Sequence, residues 1–174
     1  VGGKSFYLLY YFNKNGSYQV FSQQNLIQQD KGLSIIAAQS SSFHTHEVAD
    51  AFARIFLQKK YTGLLMIEVK EYQGKIYMIE ANPRIWGPSQ LVIDAGMNLF
   101  HHFAFDYGLI NNDTKLPIYK TDIKYFWSAG IVEDRQKGNT IAFHQYDASL
   151  FFDEYHRWIS SDIYLREDTI NLFN

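Results

Sequence analysis

The 174-residue chain carries 16 lysines and arginines against 18 aspartates and glutamates, a formal charge of −2, and no cysteine. Its length suits one domain with a real core, and the evenly mixed charge offers no footprint for nucleic acid or an anionic membrane. Disulfides and thiolate metal sites are ruled out, no apolar run nears the ~18 residues of a membrane span, no signal peptide is visible, and a cytoplasmic enzyme is the expectation.

Aromatic residues make up 17% of the chain, far from a disordered composition. The first patterned run starts almost at Val1, which suggests a piece of something longer. Ser5–Phe12 and Ser17–Ser22 are rich in β-branched and aromatic residues, and Asn13-Lys14-Asn15-Gly16 between them is a hairpin signal. Gln23–Asp30 reads as a polar connection to a short strand over Leu33–Ala38, followed by a Ser40-Ser41-Ser42 loop. A helix is predicted over His46–Lys60, capped by Thr45, with Val48, Phe52, Ile55, Phe56 and Lys59 on its packed face. Tyr61-Thr62-Gly63 stops it.

Leu64–Glu71 and Ile76–Ala81 predict a hairpin around Gln73-Gly74, which Pro83 ends. A second helix is expected over Ser89–Tyr107, bent at Gly96. Beyond Gly108 the pattern predicts a polar stretch (Asn111–Thr114), a strand over Ile123–Val132, a Lys137-Gly138-Asn139 turn, a strand over Thr140–Tyr146 and a helix over Ser149–Ile159. The whole reads as α+β, a mostly antiparallel sheet with helices packed on one face.

The chemistry concentrates on the second hairpin. Side chains alternate along a strand, so Glu80, Asn82 and Arg84 point one way if the strand persists. Whether Glu68 joins them depends on the turn. A two-residue loop sets Glu68 opposite Ile79, facing away from Glu80. A three-residue loop, Tyr72-Gln73-Gly74, sets it opposite Met78 and diagonal to Glu80; that register is expected here, since Gly74 then takes the left-handed position. Two carboxylates about 5–6 Å apart repel by about 3 kcal/mol at an effective dielectric near 20, so a cation, a raised pKa or Arg84 must relieve them. Oxygen ligands of this kind suit Mg²⁺ beside a phosphate. The plain alternative is that Glu68 and Arg84 are solvated or form a surface ion pair.

The stretches Gly63–Val69 and Ile79-Glu80-Ala81-Asn82-Pro83-Arg84-Ile85-Trp86-Gly87 resemble the C-terminal half of an ATP-grasp domain, in particular that of the carbamoyl-phosphate-synthase-like carboxylate–amine ligases. The resemblance spans residues 1–108, with 109–174 as a C-terminal α/β extension packed on the same lobe. It implies that Glu68, Glu80 and Asn82 hold Mg²⁺ (or Mn²⁺) bridging ATP phosphates, and that Arg84 contacts phosphate as the catalytic residue. It implies an ATP-dependent ligase acting on a small carboxylate and an amine through an acyl phosphate. It further implies N-terminal lobes upstream of Val1 that complete the nucleotide cleft, so that the isolated piece is inactive. Two departures stand out: Gln23-Gln24-Asn25 where similar proteins carry arginines, and Gly87-Pro88-Ser89 where they carry Gly-Ser. A non-catalytic binding or assembly module on the same scaffold is the alternative.

Other polar clusters read more plainly. His44 and His46 precede a helix cap, His101 and His102 read as one packed and one exposed, and Asp153 with His156 reads as a solvated helical face. Ser41 and Ser42 lack a nucleophile elbow. The aromatics are core, with Trp86 placed to line a substrate pocket.

Overall fold

The computed structural model describes residues 2–111 and 117–169. Its centre is a seven-stranded sheet built from β1 (Lys4–Phe12), β2 (Tyr18–Gln28), β3 (Ile35–Ser40), β4 (Gly63–Tyr72), β5 (Lys75–Asn82), β6 (Lys124–Phe126) and β7 (Ala142–Phe143). The order is β5-β4-β1-β2-β3-β6, with β7 paired to β2, and every strand pairing is antiparallel. The expected α+β class and antiparallel sheet are what the chain forms. Part of the Asn111–Thr114 stretch lies outside the described residues.

Strand β1 is the spine. Tyr7, Leu9 and Tyr11 enter one core with Phe21 and Met66, while Phe6, Leu8, Tyr10 and Phe12 enter another with Leu65, Ile67 and Val69. A strand buried on both faces reads as a continuous apolar run, which is why Ser5–Phe12 shows no alternation. Strand β2 runs on through Gln23–Gln28, the segment expected to be a connection. Its amides are buried in the sheet: Gln23 Nε2 donates to Asn25 Oδ1 at 2.7 Å, and Asn25 Nδ2 to Ser5 Oγ at 3.0 Å. Pairing with β1 and β3 outweighs the polarity of the segment, because the ladder and these side-chain bonds satisfy its donors.

Helix α1 (Glu47–Gln58) covers the second core through Ala49, Phe52, Ala53 and Phe56, leaving Ile55 exposed. Its cap is His46, whose Nδ1 accepts from Val48 N at 3.2 Å; Thr45 instead donates to Ser42 O inside a short 3₁₀ turn. The predicted second helix is two, α2 (Ser89–Asp94) and α3 (Leu99–Asp106), packed on the first core through Leu91, Val92 and Leu99. Helices on one face therefore describes α1 alone; α2 and α3 cover the other side. The sheet's two apolar faces require this. The break falls at Gly96, at φ +85°, where an added Cβ would sit 2.7 Å from Ile118 O.

The remaining chain departs furthest from its pattern. The strand expected over Ile123–Val132 stops at Phe126, and α4 (Ser128–Gln136) begins, because Ser128 N is taken by Asp162 Oδ2 at 2.7 Å from far along the chain. The strand expected over Thr140–Tyr146 contracts to β7, and the last predicted helix divides into α5 (Ala148–Asp153) and α6 (Tyr155–Ile159). These pieces surround a third core of Phe126, Phe151 and Trp158 against Leu26, Ile27 and Ile36.

Gly96→Ala should therefore cost about 1–3 kcal/mol, from strain at positive φ plus the clash at Ile118. Urea denaturation measures it as a lower midpoint with an unchanged slope.

Candidate functional site

The β4–β5 turn is tighter than expected. Tyr72 pairs with Lys75, leaving only Gln73 and Gly74 in the loop, at φ 50° and 70°. A type I′ turn requires both values to be positive. Alone, that register would set Glu68 against Ile79. A β-bulge intervenes: Val69 pairs with Met78, but Glu68 pairs with Glu80, so Ile79 is the extra residue. The three-residue loop and the Met78 register are thus incorrect. The two carboxylates nonetheless share a face, because directly opposed residues of an antiparallel pair do so.

Tyr7 extends the row. It pairs with Glu68 on one side and Gln23 on the other, so Glu80, Glu68, Tyr7 and Gln23 cross four strands on the face that carries Trp86 and α2. Asn82 lies two residues past Glu80, and its Nδ2 donates to Glu80 Oε1 at 2.6 Å. Strand β5 ends at Asn82, and Arg84 follows Pro83. Its guanidinium reaches Ile85 O at 3.4 Å and joins no ion pair among the described residues. Of the plain alternative, no Glu68–Arg84 ion pair forms among the described residues, while Arg84 is solvent-exposed and Glu68 is buried. Glu80 and Arg84 instead line a cleft of about 540 Å³ together with Tyr7, Trp86, Tyr125 and Trp127.

Glu68 is 7% exposed, whereas Glu80 lies open to solvent. Burial first, then the charge of Glu80, pushes the Glu68 carboxyl above its ordinary range, with Lys70 opposing. The Tyr7 phenol is held well above its usual value by burial and then by Glu68 and Glu80, and Arg84 pulls the other way. Burial and the neighbouring carboxylates thus act together on Glu68 and Tyr7. The repulsion between Glu68 and Glu80 has no protein cation beside it close enough to form an ion pair among the described residues.

The donor set fits a hard divalent cation. Two carboxylates and a carboxamide supply oxygen only, and Mg²⁺ ordinarily takes one or two carboxylates, keeps waters and leans on substrate phosphates. Among the described residues no three His, Asp or Glu side chains gather as an all-protein cage.

Three buried polar atoms of the row and the cleft lack a hydrogen-bond partner among the described residues: Gln23 Oε1 in the row, and Trp86 Nε1 and Trp127 Nε1 in the cleft wall. Each such group costs about 1–3 kcal/mol. Sequence reasoning placed Trp86 at a pocket but missed Tyr7, Gln23, Tyr125 and Trp127. The apolar run of β1 conceals which face Tyr7 takes, and Tyr125 and Trp127 arrive by way of β6 pairing with β3.

The remaining candidates resolve structurally. His44 Nδ1 lies 2.9 Å from Ser22 Oγ and 3.2 Å from Ser41 O, its ring edge-on to Tyr119, and burial lowers its pKa. Ser41 Oγ meets Ser22 Oγ at 3.0 Å. His101 and His102 are both half-buried, so neither is the exposed partner; their rings meet edge-on on the short helix α3. Asp153 and His156 are exposed on separate short helices.

No family model matches the chain, and no curated protein matches it either. Among solved structures it is similar to Rhizobium etli pyruvate carboxylase T882A with the allosteric activator acetyl coenzyme A, at 15% identity and a TM-score of 0.54. The match covers 70% of this chain and 13% of that one, so the chain corresponds to a small part of that protein. At this identity the likeness concerns the fold. No helix among the described residues is long and apolar enough to cross a membrane.

The raised pKa of Glu68 gives a signed prediction. The folded state holds this proton more tightly than the unfolded chain, so ionising Glu68 costs stability as pH rises through the folded pKa. Below the ordinary carboxylate range both states are protonated and the penalty vanishes. Glu68→Gln should therefore raise the melting temperature at pH 7, by about 2–4 °C per kcal/mol of relieved strain, and leave it unchanged near pH 3.5. A pH series of thermal melts reads the difference.

Proposed function

We propose that this chain is the C-terminal lobe of an ATP- and Mg²⁺-dependent carboxylate–amine ligase of the carbamoyl-phosphate-synthase-like ATP-grasp type. The observation that carries the reading is the opposition of Glu68 to Glu80 across β4 and β5, with Asn82 bonded to Glu80 and Arg84 on the same cleft. The fold likeness to a stretch of pyruvate carboxylase supports the ATP-grasp architecture in broad terms.

In this reading Glu68, Glu80 and Asn82 hold the metal, which when bound neutralises charge on the ATP phosphates. Glu68 must be ionised to do so, and the metal's charge lowers its pKa to allow it. Arg84, in no ion pair among the described residues, lies against the transferred phosphoryl group. A carboxylate oxygen of the substrate forms a bond to the γ-phosphorus as the bond to the β–γ bridging oxygen breaks, and ADP leaves. The amine then attacks the acyl carbon, inorganic phosphate departs, and the amine loses a proton. The protein's part is positioning and electrostatic stabilisation, which dominate phosphoryl transfer. The remaining nucleotide contacts belong to N-terminal lobes of the same protein.

Glu80→Gln in the full-length protein should abolish ATP turnover, a loss of at least about 10²-fold, while circular dichroism and the melting temperature show an intact fold. Unchanged turnover at saturating Mg²⁺ removes the metal role. Absence of any Mg²⁺-dependent nucleotide binding by the intact protein would instead favour the non-catalytic scaffold.

A further inference from the structure

The cleft beside Arg84 has two walls of different origin. One comes from the β1–β4–β5 row: Tyr7, Glu80 and Arg84, with Trp86 just beyond. The other comes from the distant segment that adds β6 to the sheet: Tyr125 and Trp127. Trp127 is held firmly. Its backbone N donates to Ile36 O at 2.8 Å, and its six-membered ring rests on Gly130, where an added Cβ would meet Cε3 at 2.6 Å and Cζ3 at 2.8 Å. The pyrrole N–H belongs to the opposite edge of an indole, so it is turned away from α4. Trp86 is stacked on Phe100 at 5.9 Å between ring centroids. Both indole N–H groups are without an acceptor among the described residues.

Charge decides the polarity of the occupant. Arg84 forms no ion pair among the described residues, and a guanidinium pairs best with a planar, two-oxygen anion. Aromatic residues on both walls favour a flat apolar body, and the cleft's volume of about 540 Å³ falls in the range of small-molecule sites.

We propose that the cleft is the carboxylate-substrate pocket, that its substrate is an aromatic carboxylate, and that Trp127 and Tyr125 select the ring while Arg84 holds the carboxylate. This rests on the ligase reading for the fate of the carboxylate, whose oxygen Arg84 would hold beside the phosphoryl group, but not for its binding. The segment around Trp127 is then the specificity wall of the lobe.

The test is an NMR titration of this chain, labelled at the indole nitrogens of its three tryptophans, in buffer without ATP or Mg²⁺. The probes are benzoate, benzyl alcohol, benzylamine and acetate. Benzoate should shift the Trp86 and Trp127 indole signals and leave that of Trp158, which donates to Tyr146 Oη at 3.3 Å. Benzyl alcohol and acetate should bind at least about tenfold more weakly, and Arg84→Met and Trp127→Phe should each weaken benzoate by about tenfold. Trp127→Phe keeps an aromatic ring in place, and its remaining indole signals report whether the variant is folded. Three results overturn the proposal: no benzoate shift, equal binding of benzyl alcohol, or preferential binding of benzylamine, which would mark an aromatic cage for cations. With nucleotide and metal absent, failure here alongside turnover sensitive to Glu80→Gln removes only the substrate class. Benzoate binding in a protein without ATP turnover removes only the ligase reading.

Discussion

Two carboxylates set directly opposite one another, one buried and one open to solvent, are the constraint around which this lobe is arranged. Like charges in cross-strand positions destabilise a sheet, and burial of Glu68 compounds the cost by stripping its water. A hairpin with no further purpose would not keep such a pair. The chain also spends a β-bulge to create it, since the tight Gln73-Gly74 turn alone would have pointed the two side chains to opposite faces. The arrangement is costly to the folded state, and the bulge that sets it in register is held by the surrounding sheet.

The sheet delivers this pair to the right place through a division between its faces. One face is filled by α1 and by the apolar side of β1 and β4, and is an ordinary core. The other is apolar under α2 and α3 but turns polar along the row of Glu80, Glu68, Tyr7 and Gln23. The transition occurs within single strands: Leu9 and Met66 pack in the core, while Tyr7 and Glu68, two residues away, face the row. Rigid pairing on both sides of β1 fixes these positions, and a site built on strands holds its geometry better than one built on loops.

The cleft joins this row to residues remote in the sequence. Strand β6 is only three residues long, yet its pairing with β3 is enough to bring Tyr125 into the wall and to start Trp127 and α4 against it. Gly130 beneath the Trp127 ring and Asp162 at the first turn of α4 are the contacts that hold this wall in place. Glu80, paired with Glu68 across the hairpin, and Arg84 both line the cleft that Tyr125 and Trp127 wall on its other side.

Local pattern sufficed wherever a segment's preference and its tertiary fate agreed. The two hairpins, the stop at Pro83 and the α1 region were legible from residue types and spacing, which also singled out Glu68, Glu80, Asn82 and Arg84 as candidates, since turn chemistry and alternation act over a few residues. Pattern failed where distant partners made the decision. Gln23–Gln28 is polar yet lies in the sheet because β1 and β3 flank it, and Ser128 opens a helix because Asp162 supplies an acceptor 34 positions later. The sequence by itself therefore determined which groups could do chemistry. Only the tertiary structure decided which way Glu68 points, through one extra residue at Ile79, and which aromatic rings stand opposite Arg84, because strand register and long-range pairing are properties of the assembled sheet.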